Sequence, residues 1–118
     1  MGCYEMHELS IMQSLADQIE SSAKEQGISS VKLVHLVNGK MSGANTSALQ
    51  LSFSLFSFLP LFEQAKLVVE ERDIVARCSC CRKEQKIVDY RFVCGYCQSS
   101  QLDVLSGQEL YVDYYEGD

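Results

Sequence analysis

The chain lacks most of the short motifs by which enzymes are recognised. Its 118 residues contain no glycine-rich phosphate loop, no G-x-S-x-G turn and no H-E-x-x-H pair, and they include only two histidines and no tryptophan. A catalytic site needs a nucleophile, a base or a phosphate cradle at a defined spacing, and none of these arrangements is present. We therefore expect a protein that is not an enzyme.

Positive charge is also scarce. Ten lysines and arginines stand against sixteen aspartates and glutamates, which gives the chain a net charge of -6. An acidic chain repels phosphate groups, and the best basic cluster consists only of Arg82, Lys83 and Lys86. The sequence therefore predicts no nucleic-acid partner.

Long apolar runs are missing as well. No stretch approaches the roughly 18 apolar residues of a membrane span, and no charged and apolar signal segment opens the chain. We therefore expect no membrane association and a location in the reducing cytoplasm. In that compartment we do not expect the six cysteines to form disulfides.

Four of the cysteines form two C-x-x-C pairs, Cys78 with Cys81 and Cys94 with Cys97, and twelve residues separate the pairs. Each short turn directs two sulfurs at one point, and a hairpin between the turns brings the pairs together. This spacing predicts a closed, tetrahedral site for structural Zn(II). A rubredoxin-like iron site or a redox dithiol is the less favoured alternative. Cys80 lies inside the first pair, and we expect it to face outward.

Hydrophobic periodicity defines the beginning of the fold. Apolar residues at steps of three and four predict a helix over residues 10–26, and Gly27 follows where a left-handed cap is expected. The next apolar run, residues 31–37, is rich in β-branched side chains and predicts a buried strand closed by the turn pair Asn38-Gly39. His35 lies within this strand, where we expect a packed or edge side chain rather than a ligand.

Residues 46–62 fit both periodicities, because their apolar side chains alternate and also line one helical face. We favour a helix, since Asn45 or Thr46 provides a cap and Pro60 provides an end near Leu59. The apolar end of this helix is expected to pack under the metal module, or else to expose a patch that supports self-association.

Two further strands are predicted on either side of the cysteines, at residues 66–72 and 108–115. The metal module therefore interrupts another domain. The sequence predicts an α+β protein: a small mixed α/β domain of about two helices and a three-stranded sheet, residues 1–75 plus 106–118, with an inserted four-cysteine zinc-ribbon domain, residues 76–105.

Three features occur in a characteristic order: the start Met6-His7-Glu8-Leu9-Ser10, the turn Asn38–Gly43 and the paired cysteines. Together they resemble the HypA family of nickel metallochaperones over residues 6–115. The resemblance implies that the α/β domain binds nickel and that the zinc domain is structural. It also implies delivery of Ni(II) to a hydrogenase large-subunit precursor, and in some members to urease, together with a nickel-handling GTPase maturation partner.

The resemblance places the nickel-binding residues at Met6, His7 and Glu8. The His7 imidazole would anchor Ni(II), the Met6 amine and backbone nitrogens would complete a square-planar set, and Glu8 would supply its backbone nitrogen or support the ligands. Residues 1–5 precede this motif and remove the free amine from Met6. Either translation starts at Met6, or these residues are an addition, or the extension is genuine and Cys3 binds metal instead. A simpler alternative is that His7 and Glu8 only open the first helix.

Two other functions use the cysteines without the nickel motif. A zinc-ribbon adaptor would bind zinc and a protein partner but no stoichiometric nickel. An iron-carrying electron-transfer protein would use the same four thiolates and would be coloured. A homodimer is possible in any of these cases.

Overall fold

The computed structural model describes residues 2–118, with side chains described from His7 onward. Helices and strands alternate along the first two thirds of the chain, and strands follow. The elements are α1 (Gly2–Gln26), β1 (Val31–Gly39), α2 (Thr46–Ser54), a short 3-10 helix (Pro60–Phe62), β2 (Lys66–Arg72), β3 (Val75–Cys78), β4 (Glu84–Lys86), β5 (Leu102–Ser106) and β6 (Leu110–Gly117). In this part of the chain the strands form two three-stranded sheets, so the predicted α+β class is confirmed.

Two compact units divide the chain. The first comprises the residues up to Val37, Ala44–Glu70 and Tyr111–Asp118, and the second comprises Asn38–Gly43 and Glu71–Leu110. The first unit contains both helices and most of the sheet in which β1 lies between β2 and β6. Among the described residues, no helix is both long enough and apolar enough to cross a membrane.

Helix α1 ends where the sequence predicts and begins earlier. Gly27 has a left-handed φ of 72°, its N–H donates to the Lys24 carbonyl, and the Ile28 N–H donates to the Ala23 carbonyl at 2.8 Å. These two bonds form a Schellman cap. The predicted start at residue 10 is wrong, because no proline or glycine interrupts the chain between Gly2 and that position. The inward face is formed by Met12, Ala16, Ile19 and Ala23.

Helix α2 is shorter than the sequence suggests. Asn45 caps it as predicted, since its side-chain oxygen accepts from the Ala48 N–H at 3.0 Å. The helix ends at Ser54 instead of near Leu59. Its last serine hydroxyl donates to the Leu51 carbonyl, and such bonds compete with the helical pattern. From residue 55 onward the backbone bonds reach three residues back, as in 3-10 turns, at Leu55, Phe56, Ser57 and Leu59.

The apolar segment after α2 divides into a buried and an exposed part. Phe62 is 2% exposed and meets the Phe53 ring edge-on, with 5.9 Å between centroids. Phe58 is 79% exposed, so the expectation that the whole segment packs is wrong at this residue. Leu51 and Leu55 are also more than half exposed, so three large apolar side chains are exposed between Leu51 and Phe58. We call these three residues the apolar stripe.

The predicted strands are present with small shifts at their ends. Strand β2 has the predicted bounds, whereas β6 lies two residues beyond the predicted range 108–115. Strand β1 includes Asn38 and Gly39, which were expected to form the turn. The turn follows them, and in it the Ser42 N–H donates to the Gly39 carbonyl at 2.9 Å.

The second unit is built on a sheet with β3 in the centre. Strand β3 pairs antiparallel with both β4 and β5, and Arg77 lies opposite Glu84 on one side and Asp103 on the other. Cys78 is the last residue of β3, so the sheet fixes the position of the first metal ligand. The small core of this unit consists of Ile74, Ala76 and Ile87, with Met41, Phe92, Leu102 and Val104 packed against it.

Candidate metal centre

The structure brings the four paired cysteines to one point. Their sulfurs all lie within 4.8 Å of one another. Two of the separations are 3.5 Å, between Cys78 and Cys97, and 3.6 Å, between Cys81 and Cys94. A regular tetrahedron with Zn–S bonds of about 2.3 Å has edges of about 3.8 Å, so the separations fit one zinc ion with little movement. We call these four residues the four-cysteine cluster.

Each C-x-x-C turn directs backbone N–H groups at its first sulfur. In the first turn the N–H groups of Cys80 and Cys81 lie 3.4 and 3.5 Å from the Cys78 sulfur. These bonds stabilise thiolate charge, which a bound metal shares. The second turn repeats the pattern, with the N–H groups of Tyr96 and Cys97 both 3.4 Å from the Cys94 sulfur.

The residue after each pair has an unusual backbone conformation. Arg82 has φ 66° and Gln98 has φ 67°, both in the left-handed region where glycine is the usual residue. Their N–H groups close the turns by donating to the Cys78 and Cys94 carbonyls, each at 2.9 Å. The turn geometry of a metal-binding knuckle is therefore retained without glycine.

The hydrogen bonds divide the cluster into two acidic and two weakly acidic thiols. The N–H of Cys97 lowers the pKa of Cys94 to about 6, and the N–H of Cys81 lowers the pKa of Cys78. Cys81 and Cys97 each accept a bond from the N–H two residues later, which lowers the pKa. Burial and the bonds from neighbouring sulfurs outweigh that effect, raising the pKa of Cys81 and bringing that of Cys97 to about 12.

Cys80 lies outside the four-cysteine cluster. Its side chain is exposed, as expected, and its sulfur is 3.4 Å from the Ser99 hydroxyl. It therefore faces away from the point at which the other sulfurs meet.

The Met6-His7-Glu8 motif lies within α1. Met6 is outside the residues whose side chains are described. His7 is exposed, whereas Glu8 is completely buried. The Glu8 Oε2 atom accepts a bond from the Asn45 N–H at 2.8 Å, and Oε1 has no hydrogen-bond partner among the described residues. Glu8 therefore connects α1 to the residue that caps α2, a contact that no pattern in the sequence indicates.

The second histidine lies on the sheet of the first unit. His35 is 16% exposed in its side chain and stacks on Tyr114, with ring centroids 4.9 Å apart and an interplanar angle of 8°. Its Nε2 is 3.5 Å from Glu70 Oε1, and its Nδ1 is 3.5 Å from Asp113 Oδ2. The packed environment agrees with the sequence expectation, but the two flanking carboxylates were not foreseen.

These features define a class of small metal-handling protein, in which a closed four-thiolate site accompanies an α/β unit with an exposed histidine near the start of its first helix. Residues 6–117 match the family model described as "Hydrogenase/urease nickel incorporation, metallochaperone, hypA". The chain therefore belongs to the HypA family, whose members are nickel metallochaperones.

Known relatives agree with this assignment along nearly their whole length. A hydrogenase maturation factor HypA from Moorella thermoacetica is 37% identical over 113 residues, which cover 96% of this chain and 100% of that protein. One from Chlorobium luteolum is 35% identical over 107 residues, covering 91% and 92%. Because the match extends over at least nine tenths of each chain, it includes the residues of both units.

Two solution structures share the fold. One of a HypA protein has a TM-score of 0.70 and 25% identity, covering 95% of this chain and 96% of its own. The other, of the Ni metallochaperone HypA from Helicobacter pylori, has a TM-score of 0.65 and 22% identity, covering 93% and 96%. The expected family and fold are thus confirmed.

Proposed function

We propose that this chain holds one structural Zn(II) ion in the four-cysteine cluster and carries transferable Ni(II) at Met6, His7 and Glu8. The observation that carries the nickel assignment is the placement of His7, whose imidazole is exposed directly beside a buried Glu8. An imidazole is a good nickel ligand, and a fixed neighbour limits its movement. Membership in a nickel-incorporation family supports the same assignment.

The backbone of α1 explains why nickel binding should depend on the residue at which the chain begins. Helix α1 begins at Gly2, so the N–H groups of His7 and Glu8 lie where a helix uses them for its own hydrogen bonds. In a chain that begins at Met6, the same groups belong to the first four residues, whose N–H groups have no helical partner. Such a chain also has a free amine at Met6. The shorter form therefore offers more nitrogen ligands.

The two metals have different roles because the zinc site is closed and the nickel site is open. Four thiolates fill the coordination sphere of zinc, which favours slow exchange and folding support. A nickel site anchored by one exposed imidazole is open and suits transfer. We assign nickel to the α/β domain, residues 1–75 plus 106–118, and zinc to the inserted domain, residues 76–105.

The partners follow from delivery of nickel. We infer that a nickel-handling GTPase maturation partner and a hydrogenase large-subunit precursor bind this chain, with urease maturation as a further destination. The protein would act in the cytoplasm, where the thiols of the cluster stay reduced. It would work by binding and transfer and not by catalysis.

A homodimer is the remaining part of the proposal, supported by the apolar stripe. No charged residue occurs from Ala44 to Phe62, although the whole chain carries a net charge of -6. Two like-charged copies can approach most closely where neither presents charge. The stripe alone is smaller than the roughly 800 Å² per partner of a standard interface, so we expect weak, concentration-dependent association.

A nickel titration tests the main proposal. Calorimetry with metal analysis is performed on two zinc-loaded forms, the full chain and one that begins at Met6. We expect one Ni(II) per chain in the shorter form, loss of that binding in its His7→Ala variant, and retention of one zinc throughout. Equal binding by both forms would point to ligation without the Met6 amine. No nickel binding by either form would overturn the proposal and favour a zinc-ribbon adaptor.

A further inference from the structure

The chain contains only two histidines, and the nickel motif accounts for one of them. The other, His35, lies on β1 between β2 and β6, which carry Glu70 and Asp113. The three side chains form a row across the sheet, with one carboxylate at each ring nitrogen. All three residues belong to the first unit.

The two sides of the imidazole are not equivalent. Nδ1 is buried and makes no hydrogen bond with any described residue, although Asp113 Oδ2 is 3.5 Å away. A hydrated ion has no space at a buried nitrogen, so Nδ1 is suited to carry the proton and direct it toward Asp113. The lone pair then lies on Nε2, which faces Glu70. A histidine with a carboxylate beside its protonated nitrogen and a lone pair on the other nitrogen has the arrangement of a metal ligand.

The distances on the Glu70 side suit an ion. Nε2 and Glu70 Oε1 are 3.5 Å apart. Two adjacent ligands at about 2.1 Å from an octahedral ion are about 3.0 Å apart. The Nε2 and Oε1 atoms therefore need to approach each other by only about 0.5 Å to bind the same ion. The Glu70 side chain is 42% exposed and open to water on that side, whereas the stack with Tyr114 holds the imidazole plane in place.

We propose that His35 and Glu70 form a second, low-affinity site for Ni(II), with Asp113 as the positioning residue. Imidazole nitrogen and carboxylate oxygen are donors that Ni(II) accepts, and water completes the coordination sphere. Two protein ligands bind weakly and release easily, which suits a temporary position for cargo. Binding at this site is independent of the N-terminal motif, and only its use for cargo rests on the proposed function.

The test uses the zinc-loaded full chain with His7→Ala, which leaves His35 as the only imidazole. Ni(II) is added while proton NMR follows the His35 and Tyr114 ring signals, and metal analysis verifies that one zinc per chain remains. We expect saturable paramagnetic broadening of these rings. Glu70→Gln should weaken binding at least tenfold, and Asp113→Asn should weaken it by about tenfold. Glu63→Gln, which alters an exposed carboxylate of the same unit, should have no effect.

Two results would overturn the second site. One is unchanged His35 signals at high nickel concentration, which would leave the row as an ion-pair arrangement that supports the sheet. The other is equal weakening by Glu70→Gln and Glu63→Gln, which would indicate diffuse attraction to an acidic surface. Neither result affects the N-terminal proposal, because that site is measured separately in chains that retain His7.

Discussion

Glu8 and Asn45 are joined by a hydrogen bond of 2.8 Å from the Asn45 backbone N–H to Glu8 Oε2. Asn45 also caps α2 through its side chain, so this bond connects the nickel motif on one helix to the start of the next. Loss of the Glu8 side chain would remove this bond and empty a completely buried position. The motif is therefore structural as well as a candidate ligand set.

We predict that Glu8→Ala destabilises the zinc-loaded protein by about 1–3 kcal/mol, because it removes a hydrogen bond and leaves a cavity at a completely buried position. Urea unfolding followed by circular dichroism measures the change. Glu20→Ala is the matched control, since Glu20 is exposed on the same helix, and it should change stability little. Equal stability of the two variants would contradict a structural role for Glu8.

Zinc binding should release fewer than four protons per ion at pH 7, because the Cys94 thiol is largely ionised in the metal-free chain. Cys78 and Cys94 have lowered pKa values, with Cys94 at about 6, whereas Cys81 is raised and Cys97 is at about 12. Below pH 6 Cys94 also takes up a proton, so zinc affinity falls more steeply with decreasing pH. Calorimetry in buffers of different ionisation enthalpy counts the protons. Release of four would contradict the two depressed pKa values.

The left-handed residue after the second cysteine pair offers a stabilising change. Gln98 has φ 67°, and a side chain there is strained by about 1–2 kcal/mol relative to glycine. Part of the gain is lost because glycine is more flexible in the unfolded chain. Gln98→Gly should therefore stabilise the zinc-loaded protein by about 0.5–1 kcal/mol. Thermal unfolding measures it, and Gln98→Ala, which keeps the strain, should show no gain.

Sequence patterns predicted the elements that depend on local chemistry. The Gly27 cap, the Asn45 cap and the bounds of β2 follow from nearby residues. The end of α2 was not predicted correctly. Serine hydroxyls that bond to nearby backbone carbonyls weaken a helix without giving the sequence a sharp stop signal. The two carboxylates beside His35 come from two other strands that are distant from it in sequence. Only the fold brings such groups together.

The same contrast applies to the metal sites. The four-cysteine cluster was predictable because two short turns with fixed spacing supply all its ligands. The backbone donors that make two of its thiols acidic are evident only from the turn geometry. The Glu8 contact with Asn45 joins residues 37 positions apart and has no periodic signal. Contacts between such distant residues are evident only from the three-dimensional structure.

Self-association through the apolar stripe predicts that Phe58→Asp lowers the fraction of dimer. Two aspartates would face each other at a symmetric contact and would lose apolar burial. Sedimentation velocity over a range of concentrations measures the effect. Val88→Asp is the control, since Val88 is 57% exposed and belongs to the second unit. A chain that stays monomeric at every concentration would contradict the dimer.

The close approach of two glycines predicts a damaging substitution in the second unit. A Cβ atom on Gly39 would lie 2.2 Å from the carbonyl oxygen of Gly107, a distance that requires the backbone to move. The strands have little freedom to separate there, because the Gly39 N–H donates to the Glu109 carbonyl at 2.7 Å and the Met41 N–H donates to the Gly107 carbonyl at 2.6 Å. Gly39→Ala should therefore lower the free energy of unfolding by about 3 kcal/mol or more, as overpacking does at rigid sites.

Gly43→Ala is the contrasting change. Gly43 has φ 87° but open space around its Cβ position, so only backbone strain of about 1–2 kcal/mol applies. Thermal unfolding of the two zinc-loaded variants distinguishes them, and a smaller loss for Gly39→Ala than for Gly43→Ala would show that the strands separate easily at this point.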